Sequence, residues 1–159
     1  MDRGDVCFYV AAVGSDTVDA VGIKEANRLA MDSAITEVLK LLESRNPGKM
    51  IGKEILVDGN DHYRFDIAEF ETGGKIEIAE HIRGDSRFKV IGAASILAKV
   101  TRDTLMESLA LLYPQYGFEK HKGYGTALHR NVLSEFGVLE IHRKTYSPIK
   151  HLILRAKKI

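Results

Sequence analysis

The chain has 159 residues, of which 45% are hydrophobic and 28% charged, a composition typical of one globular domain and too apolar for a disordered chain. Cys7 is the only cysteine, so a disulfide within the chain is excluded, and its apolar neighbours favour a buried thiol. No apolar run is long enough to span a bilayer and no signal peptide opens the chain, so we expect a cytoplasmic protein without a membrane role.

The charges are unevenly divided along the chain. Residues 96–159 carry eleven basic and five acidic side chains, a net +6, whereas residues 1–95 carry twelve and seventeen, a net −5. A basic half could neutralise phosphates and an acidic half could hold divalent cations. Two solvated faces of opposite sign are the simpler explanation, and both interpretations stay open at this point.

The chain begins with a predicted strand and a predicted helix. Residues 7–13 are apolar, with β-branched and aromatic members, which predicts a strand buried on both faces. Ser15-Asp16-Thr17 breaks that run. Apolar residues at helical spacing then predict a helix over residues 24–43, which Asn46-Pro47-Gly48 ends.

Three β-prone segments follow. Glu54 to Val57 is predicted as a short strand with a turn immediately after it, so Asp58 lies at the carboxyl end of that strand. Arg64 to Phe70 and Lys75 to Ile82 also hold β-prone residues, and their connection through Gly73-Gly74 predicts a hairpin.

A second long helix is predicted from Ile91 to Leu112, because apolar residues share one face and Pro114 follows. Asp85 therefore lies in the loop before a helix. The predicted buried face consists of Ala94, Leu97, Ala98, Thr101, Leu105, Leu109 and Leu112.

The last clear helix begins with Thr126 as its N-cap and stops at Gly137. Its predicted buried residues are Leu128, Val132 and Phe136.

Strands mixed with helices predict an α/β layered fold, here a single domain over residues 1–159 with a basic, helical C-terminal portion over about 113–159. Residues 140–159 are expected to form one more strand or helix.

Two carboxylates stand out by their positions. Asp58 follows a buried strand, and Asp85 precedes a long helix, and both places favour active sites. Either carboxylate could instead be structural, since aspartate before Gly-Asn often forms a turn and aspartate ahead of a helix often accepts from free N–H groups. Spacing alone leaves the two explanations open.

Five blocks of sequence, in order along the chain, resemble the ribonuclease HII family, and the resemblance covers roughly residues 7–150. They are Leu56-Val57-Asp58-Gly59-Asn60, Arg83-Gly84-Asp85, the segment from Gly92 to Asp103, the segment from Tyr113 to Thr126, and Ile141-His142-Arg143 with Tyr146 to Lys150.

The resemblance implies a ribonuclease H-like mixed sheet flanked by helices. It also implies an endonuclease that cleaves on the 5′ side of a ribonucleotide, in RNA–DNA hybrids and at ribonucleotides embedded in DNA. Four carboxylates of the family hold two Mg²⁺ or Mn²⁺ ions, and Asp58 and Asp85 match two of the four. Oxygen ligands suit both metals.

The same resemblance implies a substrate surface. Tyr124 corresponds to the family tyrosine that stacks on the sugar at the RNA-to-DNA junction, and Gly123 would let it approach. The alternative is a buried tyrosine between flexible glycines. Lys99, Lys120 and Lys122 are candidate phosphate contacts, although any one of them could simply be solvated.

Three histidines and one further aspartate are interpreted as structural. His121, His129 and His142 lack the spacing and the carboxylate partners of a zinc site, so they are structural or at most substrate contacts. Asp103 lies within a helix beside Arg102.

The sequence departs from the family pattern in one respect. It contains neither an Asp-Glu dipeptide nor a Gly-Arg-Gly motif, both of which belong to the family's N-terminal segment. We therefore expect that the first two strands and two of the four metal carboxylates are absent, and that metal affinity is weakened. Bare sheet edges need partners, so we expect the chain to form homo-oligomers, swap elements or pair with a complementary N-terminal segment. The alternative function is a catalytically impaired nucleic-acid-binding module or one piece of a split enzyme.

Overall fold

The computed structural model describes residues 6–45, 47, 54–67, 70 and 75–156. They combine helices with a parallel two-stranded sheet, which confirms the predicted α/β class and the helical C-terminal portion. The elements in chain order are α1 (Ser15–Val21), α2 (Ile23–Arg45), β1 (Glu54–Asp58), β2 (Glu77–His81), α3 (Gly84–Arg87), α4 (Lys89–Leu112), a 3-10 helix (Pro114–Tyr116), α5 (Phe118–His121), α6 (Ala127–Phe136) and α7 (Ile149–Ala156). None of the helices in the described ranges combines the length and apolarity needed to cross a membrane.

The chain divides into two compact units. The first comprises Met1–Ala12 and Asn27–Ala98, and the second comprises Val13–Ala26 and Lys99–Ile159. The single domain over residues 1–159 remains a prediction.

The first unit is built on the parallel pair of strands. β1 and β2 are in register from Glu54 opposite Glu77 to Asp58 opposite His81. The strand predicted over residues 54–57 is thus confirmed, and Asp58 is its last residue. Buried Leu39 of α2 packs with Ile67 and Ile76. Apolar contacts therefore hold these two loop residues against α2.

The predicted hairpin is wrong in the described residues. β2 pairs in parallel with β1, and residues 62–67 form no strand; residues 71–74, which include Gly73-Gly74, lie outside the described part. The backbone N–H groups of His62 and Tyr63 donate to the Glu80 carboxylate, at 2.9 and 2.8 Å. These donors are therefore satisfied without a β-ladder.

The strand predicted over residues 7–13 is also wrong. These residues have no strand conformation, Phe8 and Tyr9 are exposed, and Cys7 is half-buried where a buried thiol was predicted. A strand needs a hydrogen-bonded neighbour, and in the described residues β1 and β2 pair only with each other. Ser15-Asp16-Thr17, predicted as a break, begins helix α1.

The long helices were predicted correctly. Residues 24–43 lie in α2 and residues 91–112 lie in α4. Thr126 caps α6, since its hydroxyl accepts from the N–H of His129 at 3.3 Å. In the segment 140–159, for which one more strand or helix was expected, Ile149–Ala156 forms helix α7.

The core of the second unit shows that the buried faces of α4 and α6 differ from the predicted ones. Its buried residues are Met106, Tyr116, Phe118, Val132, Leu133 and Ile149. On α4, Met106 is buried while Leu105 and Leu112 are exposed. The aromatic residues that follow α4 cover the Met106 side of the helix, so that side is the buried one.

The buried face of α6 differs from its prediction in the same way. Val132 is buried as predicted, but Leu128 and Phe136 are exposed, and His129 and Leu133 are buried instead. The buried face of α6 thus includes His129, a residue that the apolar pattern of the segment does not mark.

Candidate functional site

A hydrogen bond links the Asp58 side chain to Gly84, the residue that precedes Asp85. The N–H of Gly84 donates to Oδ1 of Asp58 at 2.7 Å. Since Gly84 directly precedes Asp85, the carboxyl end of β1 and the start of α3 are joined at the two predicted metal ligands. The structure therefore brings these two positions together within the first unit.

Two glycines make this junction possible. A Cβ atom on Gly84 would lie 2.7 Å from Cδ1 of Ile91 and 3.4 Å from Oδ1 of Asp58. A Cβ atom on Gly92 would lie 2.8 Å from the backbone oxygen of Asp85. Both distances of less than 3 Å are too short for a carbon atom. At Gly92 the obstacle is backbone, so a side chain is excluded there, whereas at Gly84 the terminal methyl group of Ile91 would have to shift.

Asp85 lies inside the one-turn helix α3, which corrects its predicted place in a loop. Its Oδ1 atom accepts from the N–H of Ser86 at 2.8 Å. The turn before it is tightened by Arg83, whose φ is 55°, and by the Ser86 hydroxyl, which donates to the Arg83 oxygen at 2.9 Å. The Asp85 side chain is thus oriented by its own helix.

Both carboxylates retain the capacity to bind a cation. Asp58 and Asp85 are exposed, and in each the Oδ2 atom accepts no hydrogen bond from the described residues. Carboxylate oxygens are ligands of Mg²⁺ and Mn²⁺, and Mg²⁺ is often bound through one or two carboxylates with water completing the shell. Nowhere in the described ranges do three His, Cys, Asp or Glu side chains converge as a metal-binding group.

An apolar cleft of about 390 Å³ runs beside β1. Successive residues of a strand point to opposite faces, and because all five residues of β1 line the cleft, it follows an edge of the strand. α2 and α4 supply its walls, with Met31, Ala34, Ile35, Val90, Ile91 and Ala94.

In the second unit, the Tyr124 side chain is 63% exposed, which overturns the alternative of a buried tyrosine. Its backbone is held on both sides, since its N–H donates to the His121 oxygen at 2.8 Å and its carbonyl oxygen lies 3.1 Å from Nδ1 of His129. Gly123 has a φ of 81°, a conformation that favours glycine. The loop is fixed while the ring projects into solvent.

The three histidines form one buried cluster around that loop. The rings of His121 and His129 stack with their centroids 4.2 Å apart, and the Nε2 atoms of His129 and His142 are 3.2 Å apart. Only 4 to 8% of each residue is exposed. Burial lowers the pKa of both His129 and His142, because the charged ring would lose its hydration.

The predicted phosphate-binding lysines differ in their surroundings. Nζ of Lys122 is 2.6 Å from Glu107, and Nζ of Lys99 is 2.9 Å from Asp103, whose carboxylate raises the pKa of Lys99. Lys120 is exposed, with its Nζ 4.0 Å from the neighbouring Glu119. Each of the three ammonium groups thus has a carboxylate close by that would compete with a phosphate.

Comparison with known proteins decides the family. A family model described as Ribonuclease HII matches residues 7–148. The chain belongs to the ribonuclease HII family. Curated ribonuclease HII proteins similar to it include those of Chlamydia caviae, 38% identical over 94% of this chain, Shewanella baltica, 38% identical over 93%, and Leuconostoc mesenteroides, 40% identical over 93%.

The chain spans less than two thirds of these ribonuclease HII relatives, covering 61%, 64% and 51% of their respective lengths. The crystal structure of the ribonuclease H2 from Pyrococcus horikoshii is similar in fold, with a TM-score of 0.58 and 23% identity, over 92% of this chain and 68% of that one. This likeness confirms the predicted ribonuclease H-like α/β fold.

Sequence reasoning missed the histidine cluster of this ribonuclease HII chain. His121, His129 and His142 follow neither a helical nor a strand period, and they meet through loops and two different helices. The only signal in the sequence was that two of them, His121 and His142, stand inside the family blocks.

Proposed function

We propose that this chain forms part of an endonuclease that cleaves the RNA strand of RNA–DNA hybrids and cuts DNA at embedded ribonucleotides. The hydrogen bond from Gly84 to Asp58 carries the proposal. It joins Asp58 to the residue that precedes Asp85, and each of these two aspartates keeps an oxygen without a hydrogen bond from the described residues, which supports the proposal that both bind a cation. Family membership supplies the reaction class.

Asp58 and Asp85 are proposed to hold Mg²⁺ or Mn²⁺ in a two-ion site. Such ions, when bound, activate the attacking water and stabilise the leaving oxygen of an in-line phosphoryl displacement. The contribution of this chain is orientation, because Gly84 fixes one carboxylate and Ser86 fixes the other. Two carboxylates leave the remaining ligands to water or to another segment.

The substrate surface is proposed to lie on the second unit. The exposed ring of Tyr124 is available to stack on a sugar or base, and base–aromatic stacking is worth about 1–3 kcal/mol. Gly123 gives the ring a close approach. Lys99, Lys120 and Lys122 would contact backbone phosphates.

The edge of β1 is proposed to receive a further strand. The cleft there is apolar and open along the whole strand, and unpaired strand edges bind extended segments. Its occupant is proposed to be a strand from a second copy of this chain or from a complementary N-terminal segment.

A nicking assay tests the catalytic proposal. Duplex DNA with one embedded ribonucleotide is incubated with the chain and Mg²⁺ or Mn²⁺, and we expect Asp58→Asn to reduce the rate of nicking at least about a hundredfold. Asparagine keeps an oxygen that accepts from Gly84, so the fold is preserved. Asp66→Asn, at an exposed aspartate outside the site, is the matched control.

Metal binding can be followed without turnover. Mn²⁺ should broaden the amide NMR signals of Gly84 and Ser86 before other signals, and Asp58→Asn should weaken that effect. Equal broadening in the parent and in Asp58→Asn would contradict the assigned metal ligands.

A second candidate function is binding without catalysis. It is favoured by one observation, the absence of three converging metal-ligand side chains in the described ranges. Salt-sensitive binding of a hybrid without nicking, unchanged by a chelator, would establish this candidate in place of the first.

A further inference from the structure

One tautomer of each ring satisfies the hydrogen bonds of the histidine cluster together. The N–H of Gly123 donates to Nδ1 of His121 at 3.2 Å, so the proton of that ring is on Nε2, which donates to the Tyr116 oxygen at 2.8 Å. Nδ1 of His129 faces the carbonyl oxygen of Tyr124 at 3.1 Å and must therefore carry its proton. Nε2 of His129 is then an acceptor.

The third ring completes this arrangement. Nε2 of His142 lies 3.2 Å from the bare Nε2 of His129 and must donate to it. The remaining nitrogen of His142, Nδ1, lies 3.0 Å from the N of Leu139 and 3.2 Å from the Leu139 oxygen. The Nε2–H tautomer lets Nδ1 accept from the Leu139 N–H and avoids two bare Nε2 atoms facing each other, so we assign it to His142. A continuous chain of hydrogen bonds thus runs from Leu139 through His142 and His129 to the carbonyl oxygen of Tyr124.

We propose that His121, His129 and His142 are positioning residues that hold the Gly123–Tyr124 backbone in the conformation that presents the tyrosine ring to the nucleic acid. The inference rests on the proposed substrate contact of Tyr124 and deepens it. His121 holds the segment through Gly123 N–H and Tyr124 N–H, and His129 holds it through the Tyr124 carbonyl oxygen.

His142 is the informative member because, among the described residues, it forms no hydrogen bond with Gly123 or Tyr124. It acts on them through the ring of His129. If its Nε2–H is removed, Nε2 of His129 becomes a buried acceptor without a donor. A buried acceptor without a partner is destabilising, so the His129 ring and its hydrogen bond to the Tyr124 carbonyl oxygen are expected to loosen.

Ring packing can be separated from this effect. His142 also packs against Tyr116 and Phe118, with ring centroids 6.0 Å away in both cases. His142→Phe keeps an aromatic ring there and removes the donor, whereas His142→Gln restores a donor in place of Nε2–H. His151→Phe, at an exposed histidine on α7, is the control for the substitution itself.

The first measurement is NMR of the full chain without substrate. In His142→Phe we expect the ¹⁵N shift of Nε2 in the His129 ring to change, because that atom loses its donor, and the Gly123 and Tyr124 amides to exchange about five times faster. His142→Gln should return both readouts toward the parent. Unchanged exchange of both amides in His142→Phe would overturn the proposal.

The second measurement is affinity for an RNA–DNA hybrid, made with and without Tyr124→Ala. We expect His142→Phe to weaken binding about fivefold when Tyr124 is present and less than about twofold in the Tyr124→Ala background. Equal losses in both backgrounds would overturn the link to the tyrosine. If Tyr124→Ala alone leaves affinity unchanged, the proposed substrate contact is wrong, and the NMR result still decides whether the histidines hold the loop.

Discussion

At the scale of single residues, the site depends on Gly84, which has no side chain. Gly84 lies between Asp58 and Ile91, and a methyl group added there would have to displace the Cδ1 atom of Ile91. The sequence predicted both aspartates from their positions and from the family blocks. It could not predict that Gly84, the residue before Asp85, donates its backbone N–H to the Asp58 carboxylate, because these two residues are distant in sequence.

Gly84→Ala is expected to lower the free energy of unfolding by about 1–3 kcal/mol, the usual cost of overpacking. The new methyl group would displace Cδ1 of Ile91 and press on the Asp58 carboxylate. Urea denaturation measures the change. Gly125→Ala is the control, since no atom lies within 4 Å of its added Cβ, and an equal loss in both variants would contradict the steric explanation.

At the scale of elements, the two long helices were predicted correctly, whereas of the strands only the β character of β1 and β2 was. α2 and α4 carry their periodicity and their end signals within the segment. Whether residues 7–13 or 64–70 form strands depends on a neighbouring strand that the segment itself does not specify. β1 and β2 were foreseen as β structure, but their parallel pairing with each other was not.

The edge of β1 leads to a prediction about assembly. If the cleft receives a strand from a second copy, the chain should form dimers or larger species by light scattering at high concentration. Val90→Lys places a charge in the cleft and should weaken association at least about tenfold, because a buried unpaired charge is costly. Ile96→Lys is the matched control, as Val90 and Ile96 are 63% and 65% exposed and only Val90 lines the cleft.

The assembly prediction has two contrary outcomes. A monodisperse monomer at every concentration would exclude a second copy as the occupant and leave the complementary segment to be tested by addition. Equal weakening by both lysine variants would show that the cleft is not the contact surface.

At the scale of the whole molecule, the buried histidines couple stability to pH. Burial lowers the pKa of His129 and His142 in the folded chain, whereas in the unfolded chain both rings titrate near their ordinary pKa of about 6.5. The neighbouring rings act in the same direction, because a charge on one histidine of the cluster disfavours a charge on the next. The unfolded chain therefore binds more protons at mildly acidic pH.

Acidification is expected to destabilise the folded chain. The stabilisation from neutral His129 and His142 is fully present above about pH 6.5 and is lost as the pH falls through the lowered pKa of the folded state. Urea denaturation between pH 8 and 5 should show unfolding free energy decreasing on acidification, with a slope of up to about 1.4 kcal/mol per pH unit for each histidine. His142→Phe removes one titrating group whose pKa is lowered and should flatten that slope, and His151→Phe, at an exposed histidine, is the control for the substitution itself. A steeper slope in His142→Phe than in the parent would mean that the buried rings are protonated in the folded chain, and the tautomer assignments would then be wrong.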